Sequence, residues 1–288
     1  MNKLGWGCLT LLLLTACGPK KVQADPFVRL TEAIDSASLH RGEADSLSLE
    51  IEAVEEEPKP SVADELFDDF IFNYASDSVL QRQRTEFPLP YYKENKPLRI
   101  AKEHWKHDFL FSKLSYYTLL FDREDELEVV GDTSLTSVQV EWIFLKTHKV
   151  KRYYFERKNG MWMLEAINLR PMEKKAGSES FVEFYTQFVS DSIYQLKHVC
   201  QPLQFVTIDP DDEFSILETT LDAEQWLAFK PILPIDRLSN IQYGQHNDDL
   251  SHTKILKVNG IGNGYSNIFY FRKRKGEWEL YKYEDTSI

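Results

Sequence analysis

Cysteine is scarce in this sequence. Of 288 residues only three are cysteine, Cys8, Cys17 and Cys200. The first lies inside an apolar N-terminal run and the second closes it, so beyond that run only Cys200 remains and no disulfide can form within the body. The fold must therefore rest on its core. Cys200 is expected as a buried apolar residue; a reactive thiol would need an electropositive setting, for which only Lys197 and His198 are near in sequence. Basic charge is also in deficit, with 34 Lys and Arg against 46 Asp and Glu and a formal net charge of −12. An acidic chain lacks the basic surface that nucleic acid requires and that broad adhesion to anionic lipid requires. Long apolar runs are missing as well. No segment approaches the ~20 apolar residues that cross a bilayer.

One shorter apolar run is present. Met1-Asn2-Lys3 supplies a single positive charge, Leu4 to Ala16 is almost wholly apolar or small, and Cys17 follows. This is the layout of a secretory signal. Leu14-Thr15-Ala16-Cys17 matches the bacterial lipobox, in which small residues fit the peptidase cleft and the cysteine thiol accepts the lipid. The expectation is a signal peptide over residues 1–16, lipidation at Cys17, and a body held to the membrane by that lipid. Loss of Lys3 with the signal takes the formal charge to −13. Residues 17–61 read as a lipid-anchored flexible linker. They are acid-rich and punctuated by Pro58 and Pro60, with Phe27 the lone aromatic, and such sequence buries too little apolar surface to offset its ordering entropy. Gly18-Pro19-Lys20-Lys21 after the cysteine is not the acidic run of some surface-sorted lipoproteins. The expected location is therefore the cell envelope, at the outer membrane, with the body facing the periplasm.

The body is duplicated. Glu65–Pro90 laid over Glu179–Gln204 without gaps gives nine identical pairs, among them Phe67/Phe181, Phe70/Phe184, Asp77/Asp191, Ser78/Ser192, Gln81/Gln195 and Pro88/Pro202. Chance at average composition would give about one or two. Further on, Glu103-His104-Trp105 matches Glu224-Gln225-Trp226. The run Phe155 to Leu164 (FERKNGMWML) then matches Phe271 to Leu280 (FRKRKGEWEL). Two domains are predicted, residues 62–170 and 177–288, each of ordinary small-domain size.

Each half follows one plan. An amphipathic helix opens it, with Leu66, Phe67, Phe70, Ile71 and Tyr74 on one stripe in the first half and Phe181, Phe184, Tyr185 and Phe188 in the second. Ser78-x-x-Gln81 and Ser192-x-x-Gln195 read as capping boxes opening a second, short helix. Strands follow, with a third helical stretch near Trp105 and Trp226. Val138–Phe144 is β-rich, and Asn159-Gly160 and Lys275-Gly276 mark hairpin turns. Asn259-Gly260 reads as another turn. Helices followed by antiparallel strands make an α+β plan, helices packed on one curved sheet per half.

This helix–helix–sheet order, ending in a Phe-x-Arg-x-x-Gly-x-Trp-x-Leu hairpin, resembles the nuclear-transport-factor-two-like fold, a cone-shaped α+β unit also called cystatin-like or ketosteroid-isomerase-like. Two such units in tandem behind a lipobox resemble an uncharacterised bacterial lipoprotein family classed as a domain of unknown function. The resemblance implies a fold shared by isomerases, dehydratases and non-catalytic binding domains, and a fold alone does not set activity. Catalysis of the ketosteroid-isomerase type needs a buried carboxylate base with Tyr and Asp oxyanion donors. No residue here matches that motif by spacing.

Other candidate chemistry reads as structure. His104 and His107 share a helical face, but the second half has no counterpart. Gly260-Ile261-Gly262-Asn263-Gly264 precedes a strand, so no helix N-terminus is available to hold phosphate. The acid runs Asp122–Glu126 and Asp209–Glu213 lack a calcium-loop pattern. Neither serine is framed as a nucleophile. The tryptophans Trp105, Trp162, Trp226 and Trp278 are candidate lining residues if one cone is incompletely filled. No cofactor or metal is implied. The expected function is a non-enzymatic, membrane-tethered binding or scaffold module that takes a small apolar ligand or an envelope protein. An enzyme of the ketosteroid-isomerase or dehydratase type on a small hydrophobic substrate is the alternative.

Overall fold

The duplicated phenylalanines define how each half starts. The computed structural model describes residues 66–128, 134–172, 180–244 and 251–288. The signal, Cys17, the linker and the first residues of the repeat lie outside them. Helix α1 (Phe67–Ser76) buries Phe67, Phe70, Ile71 and Tyr74, and helix α3 (Phe181–Ser190) buries Phe181, Phe184, Tyr185 and Phe188. These are the stripes the spacing predicts. The short helices α2 (Ser78–Gln83) and α4 (Ser192–Lys197) follow.

Their caps differ from the expected boxes. Asp77 and Asp191 are the N-caps, each accepting two backbone N–H groups of the following turn, the shorter bonds being Val79 N at 2.7 Å and Ile193 N at 2.8 Å. A carboxylate one residue earlier competes successfully with the serine hydroxyl for those amides. Gln81 and Gln195 are thereby released for another task. Both are buried, and their amide nitrogens donate to the carbonyls of Tyr74 and Phe188 in the preceding helices, at 3.0 and 2.9 Å. Gln81 also exchanges two 2.8 Å bonds with the Asp108 backbone, and Gln195 accepts from Lys230.

The first half continues with β1 (Leu89–Lys93), β2 (Lys96–Ile100), β3 (Tyr116–Phe121), β4 (Ser137–Phe144), β5 (Lys149–Lys158) and β6 (Met161–Pro171). The second has β7 (Val199–Asp209), β8 (Asp212–Leu221), helix α5 (Ala223–Phe229), β9 (Arg237–Gln242), β10 (Thr253–Gly260), β11 (Ser266–Arg274) and β12 (Glu277–Asp285). Where the second half has α5, the first has only a 3-10 turn, Lys102–His104. Gly260 ends β10, and the turn predicted at Asn259-Gly260 falls just beyond it. The hairpins at Asn159-Gly160 and Lys275-Gly276 are two-residue turns with positive φ at all four positions, the backbone such turns require.

The strands form two six-stranded sheets, β2-β1-β6-β5-β4-β9 and β3-β10-β11-β12-β7-β8. Two features depart from the expected plan. The sheets are mixed rather than antiparallel, since β1 runs parallel to β6 and β7 parallel to β12. Each sheet is also completed by the other half: β9 pairs with β4, and β3 pairs with β10. The two exchanged strands meet at Thr118 and Ser239. The Thr118 amide donates to Ser239 Oγ at 2.7 Å, Ser239 Oγ lies 3.0 Å from the Thr118 carbonyl, and Thr118 Oγ1 donates to the Ser239 carbonyl at 2.6 Å. The Leu120 amide donates to Asn240 Oδ1 at 2.8 Å. The outer edge of β3 is thus satisfied by β9 side chains rather than by another strand.

The aromatic cores are built alike. Phe67 packs edge-on against Phe155 and Trp162, with centroids at 5.4 and 5.1 Å; Phe181 does the same against Phe271 and Trp278, at 5.2 and 5.4 Å. The hairpin run seen twice in the sequence is therefore the seat of the first helix in each half. Both hairpins carry a β-bulge at the matching position, Tyr154/Phe155 and Tyr270/Phe271.

Substitution Ser239→Ala should leave the buried Thr118 amide unsatisfied at a cost of about 1–3 kcal/mol. Because each sheet borrows from the other half, urea unfolding followed by tryptophan fluorescence should shift to lower midpoint as one transition. Two separated transitions would contradict the exchange.

Candidate functional site

Polar side chains enter each core at different places, and that is where the halves diverge. In the first half Asp68, in the first turn of α1, accepts a hydrogen bond from the Tyr243 hydroxyl just past β9. Tyr117 on β3 lies close enough for its charge to couple to Asp68, and its hydroxyl accepts from Asn259 Nδ2 at 3.0 Å. Burial raises the Asp68 carboxyl above its ordinary value; the Tyr243 bond opposes this and Asp69 adds to it. Burial likewise raises Tyr243 and Tyr117. This group draws on both halves of the chain, because β3 and β9 are the exchanged strands.

A second carboxylate in that half behaves oppositely. Asp108 Oδ2 accepts from Tyr153 at 2.5 Å and from Lys151 Nζ at 2.9 Å, while Oδ1 accepts from the Leu110 amide. Burial alone would raise this carboxyl. The Lys151 ammonium, the Tyr153 hydroxyl and the Leu110 amide outweigh burial and hold it below the usual range.

The second core has a stacked aromatic column. Tyr283 lies between Phe205 and Phe269, with centroids at 5.4 and 5.0 Å and planes within 16° and 20°. Trp226 meets Tyr283 edge-on at 5.6 Å. The Tyr283 hydroxyl donates to Asn267 Oδ1, whose amide nitrogen reaches Asp285 and Ser287. Burial, with Asp285 and Tyr116 nearby, pushes the Tyr265 hydroxyl up to about 12. Two polar atoms stand apart. The Tyr185 hydroxyl and the Trp226 indole N–H are buried without a hydrogen-bond partner among the described residues. Both residues have 0% exposure. A buried polar group left unmatched costs about 1–3 kcal/mol, so each needs an explanation. The first-half counterpart of Tyr185 in the gap-free repeat alignment is Ile71, which carries no polar atom there.

Of the four tryptophans singled out, Trp162, Trp226 and Trp278 are buried within the cores, and Trp105 is half-buried against Phe87 with its indole nitrogen also unpartnered. They do not converge on one place: Trp162 packs in the first core, Trp226 and Trp278 in the second. The histidine pair does not share a helix. The 3-10 turn ends at His104, and His107 bonds the Ala75 carbonyl at 3.1 Å and packs on Phe109. The glycine run Gly260–Gly264 links β10 to β11, with positive φ at Gly262 and Gly264. Cys200 is half-buried on β7 beside Arg272 and Glu279; burial and then Glu279 raise its thiol, against the reactive reading. Asp68, Tyr243 and Tyr185 were not visible as site residues in the sequence. Tyr185 could have been found, since the repeat alignment sets its hydroxyl against an isoleucine. Asp68 and Tyr243 lie 175 positions apart and meet only through the exchanged strand.

Mixed sheets carrying N-terminal helices, with a centre lined from both, define an α+β protein of NTF2-like fold. Among solved structures the chain is similar to the crystal structure of an NTF2-like protein from Bacteroides fragilis NCTC 9343, at 65% identity and a TM-score of 0.76. The match covers 80% of this chain and 100% of that one. The chain belongs to the family described as a domain of unknown function, DUF4348, which it matches over residues 44–285. Comparison with curated proteins gives no match.

The two carboxylates give opposite pH signatures. Asp68 is raised in the folded state, so its contribution to stability falls as pH climbs from the unfolded value, about 3.9, through the folded one. Asp108 is depressed, so its contribution is present above the unfolded value and lost as pH falls through the folded one. Thermal unfolding across pH should show Asp68→Asn gaining on the wild type as pH rises above about 3.9, and Asp108→Asn losing ground as pH rises towards that value from below. Parallel curves would refute the assignment.

Proposed function

We propose that this protein is a lipid-anchored, non-enzymatic binding module of the bacterial cell envelope, with two tandem cone-like units of which the second receives a small ligand. The observation that carries this reading is the unmatched Tyr185 Oη–H, which has no polar counterpart in the first half, inside an aromatic core that also holds the Trp226 Nε1–H. A ring-bearing ligand with an acceptor oxygen would supply the bond that Tyr185 lacks and stack on aromatic neighbours, the usual chemistry of a mostly apolar site with few polar groups. The tether rests on the lipobox at Leu14–Cys17. The outer membrane, with the body facing the periplasm, is the location this reading assigns.

A second reading has one specific observation in its favour. Asp68, raised by burial and contacted by the Tyr243 hydroxyl with Tyr117 beside it, has the character of a general base near hydroxyl donors. On this reading the protein would be an enzyme of the isomerase or dehydratase type on a small hydrophobic substrate. Turnover of any ligand found, abolished by Asp68→Asn with binding retained, would establish it.

Two experiments test the preferred reading. Tyr185→Phe deletes the unmatched hydroxyl and should stabilise the ligand-free protein by about 1 kcal/mol. The wild-type chain from Gly18 should show a saturable rise in melting temperature with a member of a panel of sterols, fatty acids, sugars and peptidoglycan fragments. Tyr185→Phe should lose most of that rise. Destabilisation by Tyr185→Phe would mean that the hydroxyl already has a partner and would remove the basis for the site. Separately, the full chain expressed in a Gram-negative host should take up palmitate label and fractionate with membranes, and Cys17→Ala should lose both. Label retained by Cys17→Ala would exclude that cysteine as the anchor.

A further inference from the structure

The two sheets end in hairpins that are equivalent by repeat but unlike in design. In the first half, β1 and β2 are five residues each, joined by Glu94-Asn95. In the second, β7 and β8 have eleven and ten. The pairs Leu89↔Ile100 and Leu203↔Leu221 occupy matching places at the base of each hairpin. Counting outward, Lys93↔Lys96 corresponds to Thr207↔Leu217. Ile208–Ile216 therefore stands where the first half has a two-residue turn.

That extension carries apolar side chains into solvent. Phe214 is 92% exposed and Ile216 64%, and Leu217 beside them is also exposed. Helix α5, which packs on β7 and β8, adds exposed Leu227 and Phe229. Among the described residues β8 is the last strand of its sheet, so its outer backbone groups face no other described strand. The corresponding edge of the other sheet, β2, is short and carries Lys96, Pro97 and Arg99, the devices that keep an edge from pairing. β8 has no proline and no basic residue. Its pairing with β7 shifts register between Ile208 and Asp209, beside Phe214, yet the strand has neither lysine nor proline, and exposed apolar side chains along such an edge mark a pairing site.

Charge selects the occupant. Between Lys197 and Lys230 the sequence has no lysine or arginine, and it has Asp209, Asp211, Asp212, Glu213, Glu218, Asp222 and Glu224. Two copies of β8 placed edge to edge would line the same acids along one seam, where like charges repel. We propose that the free edge of β8 binds an extended segment of another protein, one that alternates apolar and basic side chains and adds to the sheet as a seventh strand. Backbone bonds would give affinity, Phe214 and Ile216 would pack the alternate apolar side chains, and the flanking acids would select lysine or arginine. This surface is distinct from the second core and stands whether or not that core takes a ligand.

The test uses the chain from Gly18 to Ile288 and a fluorescent peptide, Lys-Val-Lys-Phe-Lys-Val-Lys, with its all-glutamate counterpart as control. Anisotropy should show saturable binding of the basic peptide alone, weakening with salt. The double variant Phe214→Thr/Ile216→Thr, whose changes lie at exposed positions, should weaken it at least about tenfold while the melting temperature holds. Glu218→Lys should weaken it too. Absence of binding, equal binding of both peptides, or indifference to the β8 variants would overturn the proposal. So would a dimer in light scattering that the double variant dissociates, since the edge would then be occupied by a second copy.

Discussion

Everything in this fold depends on the meeting of Thr118 and Ser239. An edge strand inside a protein must satisfy a row of backbone groups that water cannot reach. Here the two edge strands that would close each sheet are traded between halves, and their outer groups are met by each other's side chains. Serine and threonine suit the place because each hydroxyl can donate and accept at once, so two residues make reciprocal bonds across a local twofold relation. Asn240 extends the arrangement: it holds the Leu120 amide on one side and donates to Glu141 on the other, and Glu141 is in turn paired with Arg152 at 2.5 Å. A buried carboxylate with that many partners is costly to break at any one of them. The seam therefore specifies the pairing of the halves, while the aromatic cores supply the bulk of the burial.

The parts of the fold that were legible in the sequence are those set by local chemistry. Helical stripes of phenylalanine predict α1 and α3 because burial of one face needs only the 3.6-residue period. Gly160 and Gly276, with Asn159, predict their hairpins because few residues accept positive φ readily; Lys275 takes it in the second turn without that preference. The exchange was not legible. The pattern of Tyr116–Phe121 suits an edge strand of either sheet, and nothing within six residues says whether β4 or β10 will be its neighbour. Parallel pairing of β1 with β6 was hidden for the same reason. The capping boxes failed on a finer point: Ser and Asp are both good caps, the sequence offers both in Ser-Asp-Ser, and the choice turns on Gln81 and Gln195 being needed inside. Those glutamines are repeated because each ties a helix end to a later segment.

Duplication also locates where the halves have been free to differ. The triads Phe67–Phe155–Trp162 and Phe181–Phe271–Trp278 have nearly the same geometry, and the cations Arg157 and Lys273 lie over the two indoles at 4.9 and 5.5 Å. Such features are scaffold, since both halves need them to seat a helix. A polar atom present in only one half has no such excuse. Tyr185 in place of Ile71 puts a hydroxyl into an aromatic core, and Asp68, whose repeat partner is Val182, puts a carboxyl at the foot of a helix. Each is a local violation of the packing rule that its own counterpart obeys, and such violations gather at functional sites.

The same comparison applies to the sheet edges. β2 is short, basic and interrupted by proline, whereas β8 is long, acidic and apolar, although both descend from one position in the repeat. Were β8 merely a tolerated extension, its exposed face would be expected to carry lysine or proline, because an unguarded apolar strand exposes the chain to unwanted pairing. Instead, the charge on this strand is acid alone. Acid repels another copy of this acidic protein but attracts a basic segment. The edge is thus closed to self-association and open to one class of partner, a selectivity that neither apolar surface nor charge would provide by itself.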